Sequence, residues 1–143
     1  MKPSMQSAFA AMLAAGSLIW CATATAEMVT LKSELMAANE VPPNSSTATG
    51  TAEATLDTTT RTLTWLVTYT GLSGPAIGAH FHGPSEPGKN AGIVLPFNFV
   101  ATPIKGTTVL SEAQTADFLA GKWYTNIHTA QNPGGEIRGQ MTK

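Results

Sequence analysis

The chain contains three histidines, and they fall in two places. His80 and His82 stand in Ala79-His80-Phe81-His82-Gly83-Pro84, and His128 closes Trp123-Tyr124-Thr125-Asn126-Ile127-His128. Neutral imidazole is the commonest protein ligand for a metal, so the question is whether the spacing lets these rings meet. In a strand, residues two apart point the same way, about 6.6 Å along the chain. His80 and His82 therefore share a face, with Ala79 and Phe81 on the other. In the second segment Tyr124, Asn126 and His128 share one face, opposite the more apolar Trp123, Thr125 and Ile127. If the two strands are near neighbours, three imidazoles converge and leave a fourth position open, which suits copper or zinc. Imidazoles alone do not choose between them, but the order of affinities places copper(II) ahead of zinc. Copper is therefore the expected ion, with zinc as the alternative. A metal-free reading stands beside it: the histidines cap or hydrogen-bond the loop between Gly83 and Gly92.

A second dense stretch, Gly134-Gly135-Glu136-Ile137-Arg138-Gly139-Gln140, puts Glu136 and Arg138 on one strand face around an apolar Ile137. A surface ion pair is the simple reading. The other is that Arg138 offers a fixed guanidinium to an anion or to a carboxylate beside the metal, with Glu40 of Asn39-Glu40-Val41-Pro42-Pro43 as its candidate partner. Asn126, on the face of His128, and Glu136 complete the set expected to surround the histidines.

These side chains need strands to hold them, and strand patterns dominate. Val29 to Leu35, Thr51 to Asp57 and Thr62 to Tyr69 alternate apolar and polar residues, the pattern of half-buried antiparallel strands. Further candidates are Gly78 to His82, Ile93 to Phe99, Thr107 to Leu110, Trp123 to Thr129 and Glu136 to Met141. Turn formers separate them, among them Pro42-Pro43-Asn44, Ser73-Gly74-Pro75 and Asn132-Pro133-Gly134-Gly135. About eight short strands predict an all-β antiparallel sandwich. One segment departs from this: Ser111-Glu112-Ala113-Gln114 has capping-box form, and Gly121 suits a helix end, so a helix is expected from Glu112 to Ala120. Trp65 and Trp123 are read as core residues rather than sugar-stacking platforms.

The N-terminus has its own grammar. Lys2, an apolar run from Ala8 to Trp20, and Ala24-Thr25-Ala26 form a secretory signal with cleavage after Ala26. The run is too short to span a bilayer as a helix. Lipid attachment at Cys21 is disfavoured, because Trp20 stands where a small residue is required. Cleavage leaves residues 27–143 as one domain without cysteine, placed in the periplasm or outside the cell, and held by packing alone or by packing plus a metal. The whole chain carries a formal net charge of −1, so neither nucleic acid nor an anionic membrane surface is an expected partner. No cysteine nucleophile remains after cleavage. Neither a Gly-x-Ser-x-Gly elbow nor a phosphate-binding glycine loop occurs, and the carboxylates are too scattered to suggest a glycosidase pair.

Five motifs in this order resemble the CHRD (chordin) domain. They are Leu35-Met36-Ala37-Ala38-Asn39-Glu40-Val41-Pro42-Pro43, Leu63-Thr64-Trp65, Tyr69-Thr70-Gly71-Leu72-Ser73-Gly74, the His80-Phe81-His82 segment, and the Trp123 to His128 segment running on to Gln140. The resemblance implies an extracytoplasmic, immunoglobulin-like Greek-key sandwich and no defined enzyme activity. A second, looser likeness links His80, His82 and His128 to the copper site of copper–zinc superoxide dismutases, also Greek-key sandwiches, with Arg138 as a possible anion-steering residue. Three functions follow as expectations: copper binding or carriage through the three histidines, a metal-free interaction module with an unidentified protein partner, and a copper-only dismutase-like enzyme.

Overall fold

The computed structural model describes residues 25–143. The apolar N-terminal run, Cys21 and most of the expected signal peptide lie outside the described residues. Eight strands follow in chain order: β1 (Met28–Met36), β2 (Thr49–Asp57), β3 (Thr62–Thr70), β4 (Ala76–His82), β5 (Ile93–Pro96), β6 (Ile104–Val109), β7 (Tyr124–Thr129) and β8 (Ile137–Gln140). Among the described residues one α-helix, α1 (Glu112–Leu119), lies between β6 and β7, and one 3-10 turn, Ala37–Asn39, follows β1. The capping box of α1 forms as the sequence predicts: the Gln114 amide donates to the Ser111 hydroxyl, and the Gln114 side chain accepts from the Ser111 amide.

The strand order is β5-β4-β7-β8-β1-β2-β3-β6, and every pairing is antiparallel. The sheet curls on itself. Trp65 of β3 meets Phe81 of β4 edge-on at 5.9 Å, although these strands lie far apart in the sheet. The two halves thus share one core, in which Leu31, Leu35, Leu56, Leu63, Val67, Ile127 and Ile137 are fully buried or nearly so. Phe118 of α1 joins it against Trp123, with ring centroids 5.4 Å apart. This is the all-β sandwich expected, with the expected short α-helix.

Two strands differ from the alternating expectation for physical reasons. The Ile93 run ends at Pro96 rather than Phe99, because Phe97 turns inward and stacks on Trp65 at 5.4 Å. In β7 nearly every residue is buried, on both faces. Its inner face packs on the core, while its outer face lies beneath two loops, 37–48 and 83–92. That covered outer face holds the histidines.

Candidate metal centre

β4 and β7 lie side by side, with Gly78 opposite His128, His80 opposite Asn126 and His82 opposite Tyr124. Ala79 and Phe81 point into the core and are fully buried or nearly so. Burying a large apolar side chain such as Phe81 stabilises the fold by roughly 1.5–3 kcal/mol. The same pleat sends His80 and His82 to the outer face beside His128. Ring centroids are 5.0 Å apart for His80–His128, 5.4 Å for His80–His82 and 6.0 Å for His82–His128.

One ligating nitrogen from each ring lies within 4.8 Å of the other two. Two nitrogens held about 2 Å from one ion are at most about 4 Å apart, so small side-chain rotations suffice to close the set. The surrounding hydrogen bonds leave the right atoms free. His82 Nδ1 lies 3.0 Å from the Ala91 carbonyl oxygen, and His128 Nδ1 lies 2.9 Å from that of Pro133. A carbonyl only accepts, so in both rings Nδ1 carries the hydrogen and Nε2 the lone pair. His82 Nε2, His128 Nε2 and His80 Nδ1 are all buried without a hydrogen-bond partner. Three buried nitrogens without partners, one on each of three neighbouring rings, are costly unless something satisfies them, and the donor set fits a metal ion. Burial, reinforced by His128 and His82, pushes the His80 pKa down to about 4. Burial is also the chief cause that lowers His82. Both imidazoles are therefore neutral near pH 7, the form that ligates metal. The loop-bonding alternative is realised too: His82 holds the 83–92 loop through one nitrogen and leaves the other free.

The residues expected around the histidines divide into two groups. Asn126 sits between them, buried, and its Nδ2 donates to Glu40 Oε1 at 2.5 Å and to the Ile137 carbonyl at 3.2 Å. Glu40 is only 5 % exposed. Burial outweighs the nearby Arg138 charge and the Asn126 bond, so its pKa rises to about 7. Gly135 permits this contact. Its φ is +129°, and a Cβ there would stand 2.5 Å from Asn126 Nδ2 and 2.6 Å from Glu40 Oε1.

Glu136 and Arg138 correct the sequence reading, because they form no surface ion pair. Glu136 is fully buried, and its carboxylate accepts from the hydroxyls of Ser46 (2.7 Å), Ser73 (2.6 Å) and Thr129 (2.5 Å) and from the Ser73 amide (2.8 Å). Burial alone would raise its pKa, but these four bonds prevail and hold it at about 2. It fastens the 44–48 loop and Ser73 to the end of β7, and no histidine is among its partners. Arg138 is 3 % exposed. Its guanidinium lies over the Tyr124 ring, 3.5 Å from the centroid. It donates to Asn90 Oδ1 at 2.7 Å and to the Lys89 carbonyl. It clamps the 83–92 loop and is not presented to an incoming anion. It influences Glu40 through space, but the ion pairs among the described residues do not include the two together.

Four contributors escaped the sequence reading. Tyr124 lies flat against His82, with centroids 4.8 Å apart and planes 1° from parallel, and exchanges hydrogen bonds with the Ala91 backbone. The carbonyls of Ala91 and Pro133 orient two rings, and a backbone group leaves no trace in residue type. Gly78 carries a usable sign, since glycine inside a strand pattern often marks a close approach.

Comparison with known proteins adds one finding. The family model of the CHRD domain matches residues 31–141. No curated protein and no solved structure matches the chain.

Proposed function

Since the chain belongs to the CHRD domain family, we propose that it is an exported, extracytoplasmic module whose task is to hold one copper ion on His80, His82 and His128. The observation that carries this reading is the trio of neighbouring imidazoles: one ring nitrogen of each lies within 4.8 Å of the others, and each ring has a buried nitrogen without a hydrogen-bond partner. The signal-like N-terminus and the absence of cysteine from residues 27–143 support export and a donor set of imidazoles only. Copper is favoured over zinc by the order of affinities for nitrogen sites. Bound there, copper would supply one-electron chemistry. The residues around it hold two of the rings through Ala91 and Pro133, keep His80 and His82 neutral by burial, and cover the site with the 83–92 loop. Carriage or storage of copper fits this better than superoxide dismutation, because Arg138 is sealed inside the fold.

The test is copper titration of metal-free protein beside His80→Ala, His82→Ala and His128→Ala. The wild type is expected to bind one equivalent, and each variant to bind at least about tenfold more weakly. Ligand at about 100 times its Kd should also stabilise the fold by about 2.7 kcal/mol, read as a rise in Tm. Equal affinity across all four proteins would remove the site and leave the metal-free interaction module.

A further inference from the structure

We infer that the three histidines are held in two different tautomers and offer two different nitrogens, Nδ1 from His80 and Nε2 from His82 and His128, and that Gly78 is the positioning residue that makes this possible. The inference rests on the metal-binding reading for its use but can be tested without metal.

The pleat supplies the argument. Along β4 and β7 the outer face has three successive stations: Gly78 with His128, His80 with Asn126, and His82 with Tyr124. His80 occupies the middle one, while His128 and His82 flank it by one pleat each. An ion shared by all three therefore lies nearest the backbone of His80. The central ring meets it with its near nitrogen, Nδ1, and the outer rings reach it with their far nitrogens, Nε2. The hydrogen-bond pattern agrees at the two outer rings, and at His80 the buried nitrogen is Nδ1. His82 and His128 spend Nδ1 on the carbonyls of Ala91 and Pro133, whereas at His80 it is Nδ1 that is buried and unpartnered. Nε2 of His80 is not among the buried unpartnered atoms, so its hydrogen is open to water.

Gly78 sets the orientation of His80. The ring leans over it, and a Cβ at Gly78 would stand 3.1 Å from His80 Cε1, 3.5 Å from His80 Nε2 and 3.8 Å from the His128 Cβ. A methyl group there crowds His80 Cε1, while its contacts with His80 Nε2 and the His128 Cβ are ordinary, so the His80 ring must shift and its Nδ1 is turned off its aim. The three atoms it meets first all belong to side chains, and the tightest is the edge of a ring that can turn.

Long-range proton–nitrogen correlation spectra of 15N-histidine-labelled protein read the tautomers directly. In metal-free protein His82 and His128 should carry the hydrogen on Nδ1, and His80 on Nε2. With zinc added as a diamagnetic probe, His80 should show a metallated Nδ1 and the other two a metallated Nε2. Gly78→Ala should weaken copper binding by about tenfold or more, with the Tm of the metal-free protein unchanged, and should alter the nitrogen couplings in the copper electron-spin spectrum. One common tautomer in the metal-free protein, or metal on Nε2 of all three rings, overturns the inference while leaving metal binding intact. Unchanged affinity in Gly78→Ala overturns the role of Gly78. Tautomers as assigned, with neither copper nor zinc bound, would overturn the metal-binding reading instead.

Discussion

Glu40 is a carboxyl group placed where its charged form is unwelcome. Burial raises its pKa from 4.5 to about 7 against the pull of Arg138 and Asn126. Between those values the folded protein keeps a proton that the unfolded chain has released. The stability Glu40 contributes is therefore complete below pH 4.5 and is lost as the pH rises through 7. Glu40→Gln retains an acceptor for the Asn126 amide and cannot ionise. It should be more stable than the wild type by about 1–3 kcal/mol at pH 8 and no more stable at pH 4. Urea unfolding at the two pH values checks this, and an equal difference at both would refute it. Glu136 shows what a satisfied buried carboxylate looks like by comparison, with four donors and a pKa near 2. The sequence made the histidine pair legible, because two residues apart on a strand means one face. It did not reveal the environment of Glu136, because two of its partners, Ser46 and Ser73, lie 90 and 63 residues away. Nor did it reveal that Arg138 would be used up by a loop, since neither the Lys89 carbonyl nor the stacking on Tyr124 follows any short-range spacing.

At the level of elements, the 83–92 loop is the part that most deserves perturbation. It is held by Arg138 at Lys89 and Asn90, by Tyr124 and His82 at Ala91, by Gln140 at the Ser85 carbonyl, and by the Gly83 amide donating to the Gly92 carbonyl. Arg138→Lys keeps the charge but loses the flat fork that donates twice while lying on an aromatic ring. Loss of such bonds costs about 1–3 kcal/mol. The amides of Gly83 and Ala91 should therefore exchange with solvent about tenfold or more faster, while those of β2 and β3 stay slow. Uniform acceleration across the sheet would mean that the loop is not separately clamped. Alternation found the strands because one face of each is buried in the core, and the capping box found α1 because its two bonds are local. The loops were not legible: their hold on the outer face depends on backbone groups and contacts distant in sequence, which is why β7 looks half-buried in sequence and is covered on both sides in the fold.

Across the whole molecule, the decisive arrangement is the strand order that puts β4 beside β7. Two strands separated by β5, β6 and α1 in the chain become neighbours only because the sheet curls around a shared core, and no pattern within either segment announces it. The fold class was readable from alternation and turns; the adjacency that joins the histidines depends on packing across the molecule. Phe81, between the two histidines of β4, belongs to that packing, with Trp123 at 5.6 Å and Trp65 at 5.9 Å. Both indole nitrogens are buried without partners, Trp123 is fully buried and Trp65 half-buried, and Trp20 lies in the segment expected to be removed, so the tryptophan emission of the mature chain would come from these two indoles. The histidines stand on the opposite face of the same strands, across a single thickness of sheet. Copper(II) there, with its unfilled d shell, should dim that emission, whereas zinc, with a closed shell, should leave it bright. The two tryptophans would then act as an optical gauge of which ion the histidines hold.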